Sequence, residues 1–235
     1  VREVIAEMKL RRRRRALILR KKNRMHVSVK KMGVVVTMDG ATIQRGEDII
    51  VSRDRGSLSV NANSCFGSLR SEHTIQKLEQ LKVSGRLPLV FCSDNGSPFC
   101  ANTVKTFLET HKIIHLRSLP RVPQHNGSCE NAVKELKQLL NEGLSIERSC
   151  EILNKSRKRR QLGWKTTEEV DGENFVQYNE ESREKFYNEA LLAIKQALHG
   201  TKSVIERRKA EREAILTTME RFDLITRTRG GQSCA

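Results

Sequence analysis

Aromatic residues are scarce in this chain of 235 residues: seven Phe, two Tyr and a single Trp. Proline is scarcer than usual as well, with four. Hydrophobic residues make up 37% of the chain, little for one compact globule of this length, so a core of roughly 100 to 150 residues with appendages is expected. Apolar runs approaching the roughly 20 residues of a membrane helix are absent, and no signal-peptide pattern opens the sequence. No membrane association is therefore expected, and the reading is of a soluble cytoplasmic protein. The six cysteines (65, 92, 100, 129, 150 and 234) include no C-x-x-C pair, which fits reduced thiols rather than a disulfide framework. Cys92, Cys100, His111 and His115 imitate a zinc finger, but the cysteine spacing is too long for one.

What the chain has in excess is positive charge. The formal net charge is +16, and it is concentrated in two blocks. Residues 1–31 hold 13 Lys/Arg against 2 Asp/Glu, and residues 155–165 hold 6 against none. Residues 32–154 are nearly neutral, with 14 Lys/Arg against 13 Asp/Glu. A polyanion lying across that centre would be gripped from both sides, through counterion release that weakens as salt rises. Arg157 and Arg159 of the second block are accordingly DNA-binding candidates.

The pattern of apolar residues gives the organisation. Gly33 to Met38 reads as a buried strand, followed by strands at Asp48–Ser52 and Leu58–Ala62 with a turn at Arg53 to Gly56. Residues 72–82 read as a helix, and Leu87–Cys92 as a second buried strand. Val104, Phe107, Leu108 and His111 then mark one helical face, and Ile113–Leu116 a fifth strand. A helix from Ser128 to Asn141 closes the series, its core side carried by Val133, Leu136 and Leu140. Three meandering strands followed by alternating helices and strands predict a mixed α/β layer with five strands. Flanking it are a basic arm (1–31) and a charged helical region (171–235), with the core at 32–170. In the helical region Phe186, Ala190, Leu191, Ile194 and Leu198 form a stripe suited to docking or self-association.

Three carboxylates stand out within this frame. Asp39 is expected to close the first strand and Asp94 the fourth, where side chains of an α/β sheet converge on one crevice. Glu130 lies in the first turn of the last helix, with Lys134 and Lys137 following at i+4 and i+7. Mg²⁺ and Mn²⁺ prefer such hard oxygen ligands, and a pair of ions can stabilise both the attacking and the leaving oxygen of an in-line displacement at phosphorus. Lys134 and Lys137 would meet the DNA backbone beside the reacting phosphate. Asp48 and Asp54 are rivals to Asp39, each in a turn or strand-edge setting.

The words around these acids resemble those of DDE-type integrases and transposases, the superfamily of retroviral integrases and bacterial insertion-sequence transposases. Asp94 and Glu130 are separated by 35 residues, as in the D-x35-E signature. Ser93-Asp94-Asn95-Gly96-Ser97-Pro98-Phe99 is similar to S-D-N-G-x-x-F, and Pro123 to Glu130 to P-x-x-N-G-x-x-E, with Asn126 the asparagine of that word. Leu162 to Glu169 resembles L-G-x-[KR]-[ST]-P-x-E, with Thr167 in the proline position. Thr37-Met38-Asp39-Gly40 lacks the aromatic that often precedes the first acid. The resemblance covers about residues 32–170.

It implies an RNase H-like fold, and DNA cleavage and strand transfer in which water or a DNA 3′-hydroxyl attacks a phosphodiester in line. Asp39 and Asp94 would share one metal ion and Glu130 would complete the second site. Asn126, Lys134 and Lys137 would contact DNA. The implied partners are double-stranded DNA, as element ends and target, and further copies of the chain, in a bacterial, nucleoid-associated setting. Two other readings stay open: a non-catalytic DNA-binding protein on a decayed or recruited core, and a nuclease that only hydrolyses.

Overall fold

The computed structural model describes residues 11, 25–44, 47–119 and 126–229. Residues 1–10 and 12–24, most of the basic arm, lie outside them, as do Pro123, Gln124 and His125 of the third motif.

In chain order the elements are β1 (Met25–Val29), β2 (Val35–Gln44), β3 (Glu47–Asp54), β4 (Val60–Phe66), α1 (Ser71–Val83), β5 (Val90–Ser93), α2 (Ser97–Cys100), α3 (Asn102–Thr110), β6 (Ile114–Arg117), α4 (Gly127–Asn141), α5 (Ile146–Glu151), α6 (Thr167–Asn174), α7 (Glu180–Leu198), α8 (Val204–Arg221) and β7 (Ile225–Arg229). A five-stranded sheet runs β4-β3-β2-β5-β6. β2, β3 and β4 form the antiparallel meander, while β5 and β6 are added parallel to β2. This is the mixed, helix-flanked, RNase H-like sheet expected.

Strand alternation assigns the faces. Val36, Met38, Ile50 and Phe91 point one way and pack with Leu78 of α1 and Val104 and Leu108 of α3. Ile49 and Val51 point the other way, against Ala132 and Leu136 of α4 and Leu153. The remainder of that second face, with Val35, Val90, Cys92, Ile114 and Leu116, is covered by Phe186, Tyr187 and Ala190 of α7 and by Ile215, Leu216 and Met219 of α8. The α7 stripe therefore docks on this chain's own sheet.

Several expectations shift in detail. β2 does not stop at Asp39: it continues to Gln44, because β3 pairs with it through Asp39↔Val51, Gly40↔Ile50 and Ala41↔Ile49. β4 begins at Val60 rather than Leu58, since Leu58 takes a left-handed backbone (φ 63°) that ends the turn. The buried stripe of α4 is Cys129, Ala132 and Leu136, one step round from the expected face. Residues 25–29, read as part of the arm, form a strand paired with β7, and Lys30 N–H donates to Leu224 O at 2.9 Å. Thr167 takes the first position of α6, where proline's fixed φ is favoured. A capping box serves there instead: Thr166 N–H donates to Glu169 Oε2 (2.6 Å) and Glu169 N–H to Thr166 Oγ1 (3.3 Å).

Candidate active site

β2 and β5 pair in parallel over only three positions, ending at Thr37↔Cys92. Beyond that pair β2 stays with β3 and β5 ends, so a crevice opens between them. Asp39 and Asp94 each lie two residues past the last pair, one on either lip. Asp39 is half-buried and accepts the Gly40 N–H at 2.9 Å. Its carboxyl is pushed up to about 6, by burial first and then by the charges of Asp94 and Glu130, against the lowering bond from Gly40. The three acids thus share one electrostatic neighbourhood.

Each residue of the Ser93–Gly96 word has a local task. Asp94 Oδ1 accepts the Gly96 N–H at 2.8 Å, holding its carboxylate across a tight turn. A Cβ on Gly96 would sit 3.0 Å from that same oxygen, so a larger residue would press the carboxylate a few tenths of an ångström off its seat. Asn95 Nδ2 donates to Ser118 O (2.7 Å) and Ser118 N–H to Ser93 O (2.9 Å), tying the turn to the end of β6. Ser93 Oγ donates to Asp94 O (2.8 Å) and lies 2.9 Å from His115 Nε2, which then acts as donor. Burial, then the Arg117 charge, drives His115 down to about 3, so the ring is neutral, stacked 4.9 Å from Phe91. Ser93 and His115 are structural supports for Asp94; the imidazole is too hard to protonate to serve as an acid.

Glu130 arrives from α4. The Asn126 carbonyl accepts the N–H groups of Cys129 (2.9 Å) and Glu130 (3.0 Å), starting the helix. Buried Cys129 seats that first turn on the sheet, its Sγ 3.7 Å from Thr37 O and 3.5 Å from Val51 O. The next side chain, Glu130, is exposed and accepts no hydrogen bond among the described residues. Lys134, exposed, and Lys137, half-buried, continue its face and form no ion pair with any described residue.

The remaining candidates are placed differently. Asn126 is 4% exposed, and its Oδ1 is buried without a partner. Arg159 is turned onto Glu135 through both terminal nitrogens (3.2 and 3.0 Å), and Arg157 reaches the same carboxylate at 3.7 Å with its side chain 49% exposed. The rivals to Asp39 are turn anchors. Asp54 accepts N–H groups from Gly33, Gly56 and Ser57, and Asp48 binds Thr42 Oγ1 and Leu69 N–H.

Sequence reading missed Arg53. It projects on the α4 side of β3, where alternation with Ile49 and Val51 calls for an apolar residue, and is 4% exposed. Its Nη1 donates to Ser128 O at 2.9 Å. Burial, then the Arg159 charge, lowers its guanidinium to about 10.

Among the described residues no three His, Cys, Asp or Glu side chains stand close enough to enclose an ion. The donor set nonetheless suits hard divalent cations, since none of the three carboxylates has a cationic partner among the described residues, and Asp94 and Glu130 add to burial in raising the proton affinity of Asp39. Like charges held together in this way are relieved by a proton or by a cation.

No protein-family model matches the chain, and neither does any curated protein. Solved structures do. The chain is similar to a simian T-cell lymphotropic virus intasome in complex with the PP2A regulatory subunit B56 gamma (TM-score 0.54, 18% identity, 64% of this chain), and spans 61% of the length of the chain it matches there. It is also similar to the HTLV-2 integrase catalytic core domain in complex with magnesium. The dimeric form aligns with TM-score 0.50 and 20% identity, the trimeric form with 0.50 and 19%; each covers 60% of this chain and 97% of the other. At these identities the likeness is one of fold: the sheet and its helices are those of retroviral integrase catalytic cores.

Proposed function

We propose that this chain is a DNA transposase or integrase that cleaves and joins phosphodiesters with the help of divalent metal ions held by Asp39, Asp94 and Glu130. The observation that carries the reading is the placement of the three acids. Two stand at equal distance along the chain past Thr37↔Cys92, and the third is seated by Cys129 over β2 and its neighbour β3. The Leu162–Glu169 stretch, which resembles that of many bacterial members, favours an insertion-element transposase, and the word around Asn126, Gly127 and Glu130 favours strand transfer over hydrolysis alone.

Asp39 and Asp94 would share one ion and Glu130 would complete the second position. Bound Mg²⁺ or Mn²⁺ supplies Lewis acidity on both sides of the reacting phosphorus. Gly40 and Gly96 N–H groups hold the aspartate oxygens in place. Lys134 and Lys137 accept the strand's backbone charge without first breaking an ion pair. In cleavage a water oxygen bonds to phosphorus as the bond to the 3′ oxygen breaks, leaving a 3′-hydroxyl. In joining, that hydroxyl attacks a target phosphodiester and the target's 3′ oxygen departs. Magnesium in the HTLV-2 cores, and their dimeric and trimeric forms, support metal use and self-association here.

A second reading, a DNA-binding protein without catalysis, draws on the open spacing of the carboxylates. Incubation with supercoiled plasmid and Mn²⁺ separates the two. The enzyme yields nicked and joined products, lost in Asp39→Asn, Asp94→Asn and Glu130→Gln with DNA binding retained. Equal product from the wild type and all three variants would remove these residues from the site, and nicks without joined products would leave a nuclease.

A further inference from the structure

Beside Glu130 a cleft of about 830 Å³ runs between the end of β3, the start of α4 and the 159–162 turn. Arg53, Arg55 and Arg159 line it, with Glu130 and Glu135. Glu135 is already engaged by Arg159 and Arg157. Arg53 and Arg55 form no ion pair with any described residue. Their acceptors are neutral carbonyls, Ser128 O at 2.9 Å for Arg53 and Val27 O at 3.2 Å for Arg55. The Nε–H groups of Arg53 and Arg159 are buried without a partner. Buried charges are normally paired, and Arg53 is 4% exposed. Its proton affinity is lowered by burial first and then by the Arg159 charge, which outweigh the raising charge of Glu135, a carboxylate shared with Arg157 and Arg159.

The geometry points to a second phosphate site: the Arg53–Arg55 cleft takes a backbone phosphodiester of the DNA strand whose reacting phosphate lies at Glu130. The inference rests on the DNA-processing reading and adds residues that reading did not contain. The guanidinium fork matches phosphate oxygens in a plane. The cleft is far roomier than one phosphate group needs and is continuous with Glu130, which suits a passing chain rather than a free anion. Lys134 and Lys137 then hold the strand on one side of Glu130 and the arginines on the other.

The test uses the full chain, fluorescein-labelled duplex and single-stranded oligonucleotides, and EDTA, so that binding is measured apart from catalysis. Arg55→Gln and Arg55→Glu are the informative variants, because Arg55 gives up only one carbonyl contact; Arg53→Gln also strips the donor from Ser128 O and is judged beside its melting temperature. Expected is a loss of roughly fivefold or more in affinity for Arg55→Gln, a larger loss for Arg55→Glu, and a salt slope lower by about 0.9. Unchanged affinity and slope in both Arg55 variants would overturn the inference. So would inorganic phosphate or pyrophosphate raising the melting temperature of the wild type but not of Arg55→Gln, with oligonucleotide affinity the same in both, since the cleft would then serve a free anion. Absence of nicking and joining beside arginine-dependent binding would sink the enzymatic reading and leave this site standing.

Discussion

Asp39 and Asp94 are symmetric about the Thr37–Cys92 pair: each stands two residues beyond the last parallel step, Asp39 within β2 and Asp94 just past the end of β5. Ordinary sheet geometry thus brings together two acids 55 positions apart without a dedicated loop. Glu130 then needs only a helix seated on β2 and its neighbour β3, which Cys129 provides. The arrangement leaves Asp39 a reluctant anion, with its carboxyl at about 6.

That reluctance sets a pH dependence. Folding raises the Asp39 pKa from 3.8 to about 6, so its contribution to stability is full below 3.8 and lost as pH rises through 6. Asp39→Asn is therefore expected to be more stable than the wild type at neutral pH. The gain is about 1–2 kcal/mol, discounted for solvent screening at a half-buried group. It vanishes near pH 4. Urea melts across pH 4 to 8 check this; an Asn variant less stable at pH 7 would show that neither the burial nor the neighbouring charges penalise the anion.

His115 runs the other way. Its pKa falls from 6.5 to about 3 on folding, so its contribution is present above 6.5 and lost as pH falls toward 3. Between pH 6 and 4 the wild type should lose stability more steeply than His115→Gln, by about 1.4 kcal/mol per pH unit, the value of one proton. Parallel slopes would mean that the ring is protonated in the folded state.

The α7–α8 pair belongs to the core's second face, not to a detachable tail. Phe186 is 1% exposed and meets Phe222 edge-on at 5.4 Å. Phe186→Ala should cost about 3–5 kcal/mol by chemical denaturation while the single cooperative transition persists. A loss below 1 kcal/mol would mean that the helices are not packed on the sheet.

Trp164, the chain's single tryptophan, is 66% exposed. It sits on a left-handed turn after Gly163, and its N–H donates to Arg159 O at 3.0 Å. DNA drawn to the 155–165 basic block should quench its fluorescence in proportion to occupancy and release it as salt rises. Saturating DNA with no change in emission would place the strand elsewhere.

Much of this site was legible from the sequence because its parts are local. Asp94 and its turn follow from Ser93 to Gly96, and the first turn of α4 from Asn126 to Glu130. The buried central strands were legible too, since Val34–Val36 and Leu89–Cys92 carry the unbroken apolar runs of strands covered on both faces. What escaped depends on distant partners. β2 outlasts Asp39 because β3 supplies its ladder, and β1 exists only because β7 pairs with it. Arg53 reads as a turn residue until its pairing within β3, Ser128 O and the neighbouring guanidiniums are in view. Arg159 belonged to a charge run, and nothing in that run announced that Glu135 would claim it. The docking of Phe186 and Ala190 on this chain's own sheet was equally hidden, because an apolar stripe does not name what it covers.

The central claim is that Asp39, Asp94 and Glu130 form one divalent-cation site. Calorimetric titration of Mn²⁺ and Mg²⁺ into the wild type, Asp94→Asn and Glu130→Gln tests it without knowledge of any DNA sequence. The account predicts saturable binding in the wild type, weakened by both substitutions and falling as the pH is lowered through 6. Equal heats in all three proteins, with and without DNA, would contradict it.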